Sequence, residues 1–94
     1  MIKFSVIWTD EAVEDRDQIL TFIANANPIA AIDMDALFGR AAARLSEYPM
    51  MGKTGTIPGT RELIPHNSYR LIYEIEGETV WILALTHTAR QWPT

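Results

Sequence analysis

The alternation of apolar and polar residues changes period several times along this chain, and each change marks an element. "IKFSVIWT" (2–9) alternates and is rich in β-branched and aromatic residues, which predicts a first strand. From Thr9 the period lengthens. Thr9 is a good N-cap, and Asp10, Glu11 and Glu14 put negative charge where a helix N-terminus favours it. Ala12, Arg16, Ile19, Leu20 and Ile23 then recur at steps of three and four, predicting an amphipathic helix over 10–25 that "NANP" stops.

Asn27 as cap and Pro28 at the first helical position open a second helix. Met34, Leu37, Phe38, Ala41, Leu45 and Tyr48 keep one stripe of it apolar until Pro49 closes it. A joint of only two or three residues predicts an antiparallel helical hairpin. "MMGKTGTIPG" (50–59) reads as a loop, and its glycine–lysine spacing, with no helix after it, is wrong for cradling a phosphate. Three strand-like runs follow at 60–65, 68–75 and 79–85, joined by turns at "HN" and "EGE". The last run, "TVWILAL", is apolar on both faces and should lie between neighbours in the sheet, with Trp81 in the core.

The order strand, helix, helix, strand, strand, strand predicts a two-layer α+β domain: an N-terminal strand, a helical hairpin and a three-stranded antiparallel meander. With 48% apolar and 21% charged residues the chain has enough to bury a core. Its length fits one domain over 1–94. It has no cysteine, so disulfides and thiolate metal sites are excluded. The N-terminal apolar run is too short, and acidic too soon, for a signal peptide or a membrane span, so a cytoplasmic protein is expected. Net charge is −4, with seven of the twelve acids between residues 10 and 35, so bulk electrostatic binding of nucleic acid is excluded. Contact with phosphate would have to be local.

The candidate chemistry sits on the C-terminal strands. Side chains two apart in a strand share a face, so Arg70, Ile72 and Glu74 lie on one side and Leu71, Tyr73 and Ile75 on the other. The second, apolar set should meet the helices, leaving Arg70 to project from the outer face. Arg61 joins it if the hairpin pairs in even register, and His87 and Arg90 emerge from the last strand close by. Guanidinium forks suit phosphate oxygens, and an imidazole passes protons near neutrality. Together they would serve transfer of an RNA 2′-oxygen to its own phosphate.

Plainer readings of the same residues stand beside this one. Arg70 could pair with Glu62 or Glu74 as an ordinary sheet residue. His66 reads as a turn residue and His87 as a solvent-exposed one. Trp92 reads as a packing anchor or part of a partner-binding edge, and the acidic run as a solvated face or the complement of a basic partner. The two histidines are 21 residues apart with the acids elsewhere, so neither a metal site nor a cofactor is expected.

As an ordered set, these segments resemble the RelE/ParE superfamily of toxins from type II toxin–antitoxin pairs. The features are "G-x-R-E-L", "Y-R-L-I-Y" and a terminal "H-x-x-R-x-W-P", with "N-P-x-A-A" and "L-x-x-x-P-x-x-G" bounding the second helix. The resemblance covers about Val6 to Pro93 and implies a growth inhibitor, of a kind linked to plasmid stabilisation, neutralised by a cognate antitoxin whose binding segment folds on contact. The helical hairpin and the sheet edge are both candidate docking places.

The superfamily implies two targets. RelE-like members are ribosome-dependent mRNA endoribonucleases, and that reading would use Arg61, Arg70, His87 and Arg90. Arg70 matches the arginine of their strand and Arg61 falls on a lysine. Leu63 stands where they have a second lysine, and their terminal tyrosine gives way to Trp92 and Pro93. ParE-like members poison DNA gyrase and need no ribonuclease residues. The missing lysine, the negative charge and the "H-x-x-R-x-W-P" tail favour this second branch, so whether the chain is an enzyme stays open.

Overall fold

The computed structural model describes residues 3–93, and its architecture is α+β: two helices packed on one face of a five-stranded sheet. Elements run β1 (Ser5–Trp8), α1 (Asp10–Ala26), α2 (Pro28–Arg44), β2 (Lys53–Thr54), β3 (Thr60–His66), β4 (Tyr69–Glu76) and β5 (Thr79–His87). The expected helices and meander are present. β2 is an addition, two residues of the supposed loop pairing with β3.

The two helices meet at a single residue, a tighter joint than expected. Asn27 donates its N–H to the Ile23 carbonyl, ending α1, while its side-chain oxygen accepts from Ala30 N–H at 3.1 Å, starting α2. Arg16 of α1 then holds Asp35 of α2 at 2.6 Å, with its guanidinium 4.8 Å over the Trp8 ring. α2 ends at Arg44, before Pro49, with a turn through residues 45–47 between them.

The sheet order is β1-β5-β4-β3-β2, with β1 parallel to β5 and every other pair antiparallel. β5 is therefore an inner strand, as its two-sided apolarity predicts. The core joins Ala12, Phe38 and Leu45 from the helices to Leu71, Tyr73, Val80, Ile82 and Leu85 from the sheet. Trp81 is not in this core. It stands opposite Glu74, on the outer face, and is half-buried. Ile72 lies on that outer face too, yet is 1% exposed, with Glu62 opposite it on β3 and Ala84 on β5.

Two irregularities decide which way side chains point. In β5 one extra residue, Leu83, enters between the pairs Tyr73↔Ile82 and Ile72↔Ala84. In β3 the register shifts between Leu63 and His66. Each inserted residue swaps the two faces for everything beyond it.

Candidate functional site

The shift in β3 overturns one expectation directly. From His66↔Tyr69, even pairing would bring Arg61 opposite Glu74, on the face of Arg70. Arg61 instead stands opposite Tyr73, on the helix side, so the two guanidiniums occupy opposite layers. The cause is local: Pro65 lies within the shifted stretch and has no N–H to give the ladder.

Arg61 works as a clasp there. One of its nitrogens donates to the carbonyls of Gly52 at 2.8 Å and Met50 at 3.3 Å. Beside it the Tyr73 hydroxyl accepts from Gly52 N–H at 2.9 Å and donates to the Pro49 carbonyl at 2.7 Å. Burial raises the Tyr73 hydroxyl above its ordinary 10.0, partly offset by the Gly52 bond and the Arg61 charge. Gly52 admits no side chain, since a Cβ would lie 2.7 Å from that hydroxyl and 2.8 Å from the Glu62 carbonyl oxygen.

Arg70 does project from the outer face, but its hydrogen bonds turn inward. It pairs with Glu62 at 3.3 Å, the two side chains being 14% and 8% exposed, and it donates to the Arg90 carbonyl. Its Nε is buried without a partner. The pairing with Glu62 is the ordinary alternative read from the sequence. Arg70 thus ties β3, β4 and the C-terminal tail together, and little of it faces solvent.

His87 and His66 form a row across three strands, on either side of Tyr69. Ring centroids are 5.6 Å from Tyr69 to His87 and 6.1 Å to His66, and Tyr69 itself meets Phe38 edge-on. Both imidazoles are exposed, and each accepts at Nδ1 the backbone N–H two residues on, Ala89 for His87 and Ser68 for His66. A neutral ring held in this way carries its proton on Nε2 and presents a donor outward. It offers no free lone pair with which to take a proton from a substrate hydroxyl.

His87 and Arg90 do share a site, a cleft of about 880 Å³ between α1 and the end of β5. Glu11 and Asp15 line its helix side, followed by Ile19 and Phe22. Trp92, half-buried, closes the tail side. Arg61 and Arg70 are not among its lining residues. Of the four candidates, the structure therefore brings His87 and Arg90 into one cleft, holds Arg70 on the Arg90 backbone outside its lining, and leaves Arg61 in the other layer. Among the lining residues to which sequence reasoning gave no part in a site are Thr9, read as a cap, and Phe22. Asp15 belongs to the acidic run, which reads as a solvated face or as the complement of a basic partner, while Phe22, 76% exposed, was the available signal as an aromatic lying off the apolar stripe.

Among the described residues no helix is long and apolar enough to cross a membrane, and no group of three or more potential ligands could hold a metal ion. The Sinorhizobium fredii protein Y4kP is 36% identical over 94 residues, covering 99% of this chain and 97% of that one. Toxin RelE2 of Caulobacter vibrioides is 34% identical over 85 residues, covering 90% and 96%.

Among solved structures, the chromosomal ParDE system of P. aeruginosa superposes with a TM-score of 0.81 at 20% identity, over 93% of this chain and 98% of that one. The RelBE2 toxin–antitoxin complex of Mycobacterium tuberculosis gives 0.66 at 27% identity, over 96% and 97%. The family described as the ParE toxin of the type II toxin–antitoxin system parDE matches residues 6–92. With nearly its whole length matched, this chain belongs to the ParE toxin family and is a toxin component of a type II toxin–antitoxin system.

Proposed function

We propose that this toxin acts by binding DNA gyrase, in the cytoplasm, and that a cognate antitoxin neutralises it. The observation that carries this reading is the placement of Arg61 and Arg70 in opposite layers, each spent on contacts within the chain. Cleaving a phosphodiester needs positive charge converging on the developing anion and a group to take the 2′ proton. Neither guanidinium converges on such a point, and His87 offers a donor rather than a base. A net charge of −4 also opposes entry into the phosphate field of a ribosome. A binding toxin needs only a shaped surface, which the cleft and the tail supply.

The test pairs two purified systems. Added to gyrase and supercoiled plasmid, the chain should accumulate broken DNA held in the enzyme complex, while a cell-free translation reaction given the same dose keeps its rate. Halted translation with mRNA ends inside codons, and intact plasmid, would reverse the assignment.

The second reading, a RelE-like ribosome-dependent endoribonuclease, draws on the shared cleft of His87 and Arg90 and on the likeness to RelE2. Under it, Arg90→Ala should abolish the mRNA ends and leave the fold unchanged.

A further inference from the structure

α2 has two apolar faces, and the fold covers one of them. Ala31, Phe38, Ala41 and Ala42 are buried against the rest of the chain. On the far side Ile29, Ile32, Ala36 and Ala43 are exposed, the two isoleucines at 72% and 69%. Their steps of three, four and seven residues are those of a helix–helix seam, and Gly39, without a side chain, falls at the step between Ala36 and Ala43. A helix that is apolar on two sides reads as one covered on two sides.

The seam is graded from end to end. Its N-terminal half is bulky and has Asp33 beside it. Its C-terminal half is bare, at Gly39 and Ala43, and has Arg40 and Arg44 beside it. Asp35 is held by Arg16, but among the described residues Asp33, Arg40 and Arg44 enter no ion pair. Such a face complements itself when a second copy is turned end for end. With Ala36 on the twofold axis, Ile29 meets the partner's Ala43, Ile32 lies over the partner's Gly39, and Asp33 comes beside the partner's Arg40. Parallel pairing would set isoleucine on isoleucine and Asp33 on Asp33. A twofold contact puts a patch against itself, so charge balance decides which helix can make one. α2 carries two acids and two arginines, whereas α1 sets five acids against one arginine.

We propose that the exposed face of α2 is a self-association surface, on which α2 of a second copy lies antiparallel with Ala36 at the twofold axis. Small side chains there let the two helices approach closely. The contact is small, under about 1,200 Å², so the dimer is transient and forms at about tens of micromolar and above. It belongs to the free toxin, whatever the target.

The test uses the full chain freed of antitoxin. Sedimentation from about 5 to 500 micromolar should show monomer passing to dimer. Because the chain has no cysteine, Ala36→Cys puts a single thiol on the axis, within reach of its own copy for a disulfide. Under mild oxidation this variant should cross-link at least tenfold faster than Thr56→Cys, at an exposed loop position. Arg40→Asp should weaken the dimer at least tenfold, and adding Asp33→Arg should restore it, with thermal unfolding alike in all. A chain that stays monomeric throughout would overturn the proposal. So would a dimer that cross-links no faster at residue 36 than at 56, or one indifferent to the charge exchange. If the chain is monomeric and exchange at the α2 amides slows only when antitoxin is added, the face belongs to the antitoxin and a second copy is excluded.

Discussion

Tyr73 carries more of the structure than any residue singled out for chemistry. Its ring fills the core, and its hydroxyl, with Arg61 beside it, fastens the segment from Pro49 to Gly52 to the sheet. Tyr73→Phe should keep the packing and strand the buried Gly52 N–H and the half-buried Pro49 carbonyl, a loss of about 1–3 kcal/mol measurable by urea unfolding. Gly52→Ala should cost a similar amount, about 1–3 kcal/mol, because both the nearby carbonyl and the hydroxyl would have to give way.

The same hydroxyl predicts an alkaline effect. Its proton is held more tightly in the folded chain than in the unfolded one, where the ordinary value of 10.0 applies. Its contribution is therefore complete below that value and declines as pH rises through it toward the folded value. Unfolding midpoints taken from about pH 8 to 11 should fall at the alkaline end in the native chain, and fall less in Tyr73→Phe.

At the scale of elements, the hairpin turns on one side chain and one backbone N–H. Asn27→Ala removes the cap of α2 and should cost about 1 kcal/mol, with exchange at the Ala30 amide rising first. This joint was legible in the sequence, because "N-P" is a strong local signal. The helices, the meander and the two-sided burial of β5 were legible for the same reason: each rests on a period or a cap contained within one segment.

The faces of β3 and β5 were harder. In β5 the run Ile82, Leu83, Ala84 is apolar throughout, so nothing in its pattern marks which residue is the extra one. In β3 a mark did exist, in Pro65, and even pairing from the "HN" turn overrode it. The site inherited that error. Assigning Arg61 to the outer face required a register that no single strand contains, whereas placing His87 and Arg90 together required only their closeness in sequence.

For the molecule as a whole, the Arg70–Glu62 pair sets how toxicity experiments should be interpreted. Arg70→Ala leaves a buried carboxylate alone, so it should destabilise the fold by roughly 3–5 kcal/mol and lose toxicity whatever the target is. Such a loss is no evidence of catalysis. The double variant Arg70→Met with Glu62→Leu removes both charges together and should recover most of the stability. If Arg70 only holds the tail and the strands, the double variant should inhibit growth, as gyrase binding requires. A well-folded double variant that is harmless would give Arg70 a direct part.

The offset beside Pro65 reaches beyond this chain. Were every residue of β3 to pair evenly from its turn, with none bulged out, the side chains of residues 60–64 would rotate to the other layer. Arg61 would then surface next to Arg70, and Glu62 would be driven toward the helices. A neutralised sheet surface and a cationic one thus differ here by a single peptide unit, without the exchange of any charged residue.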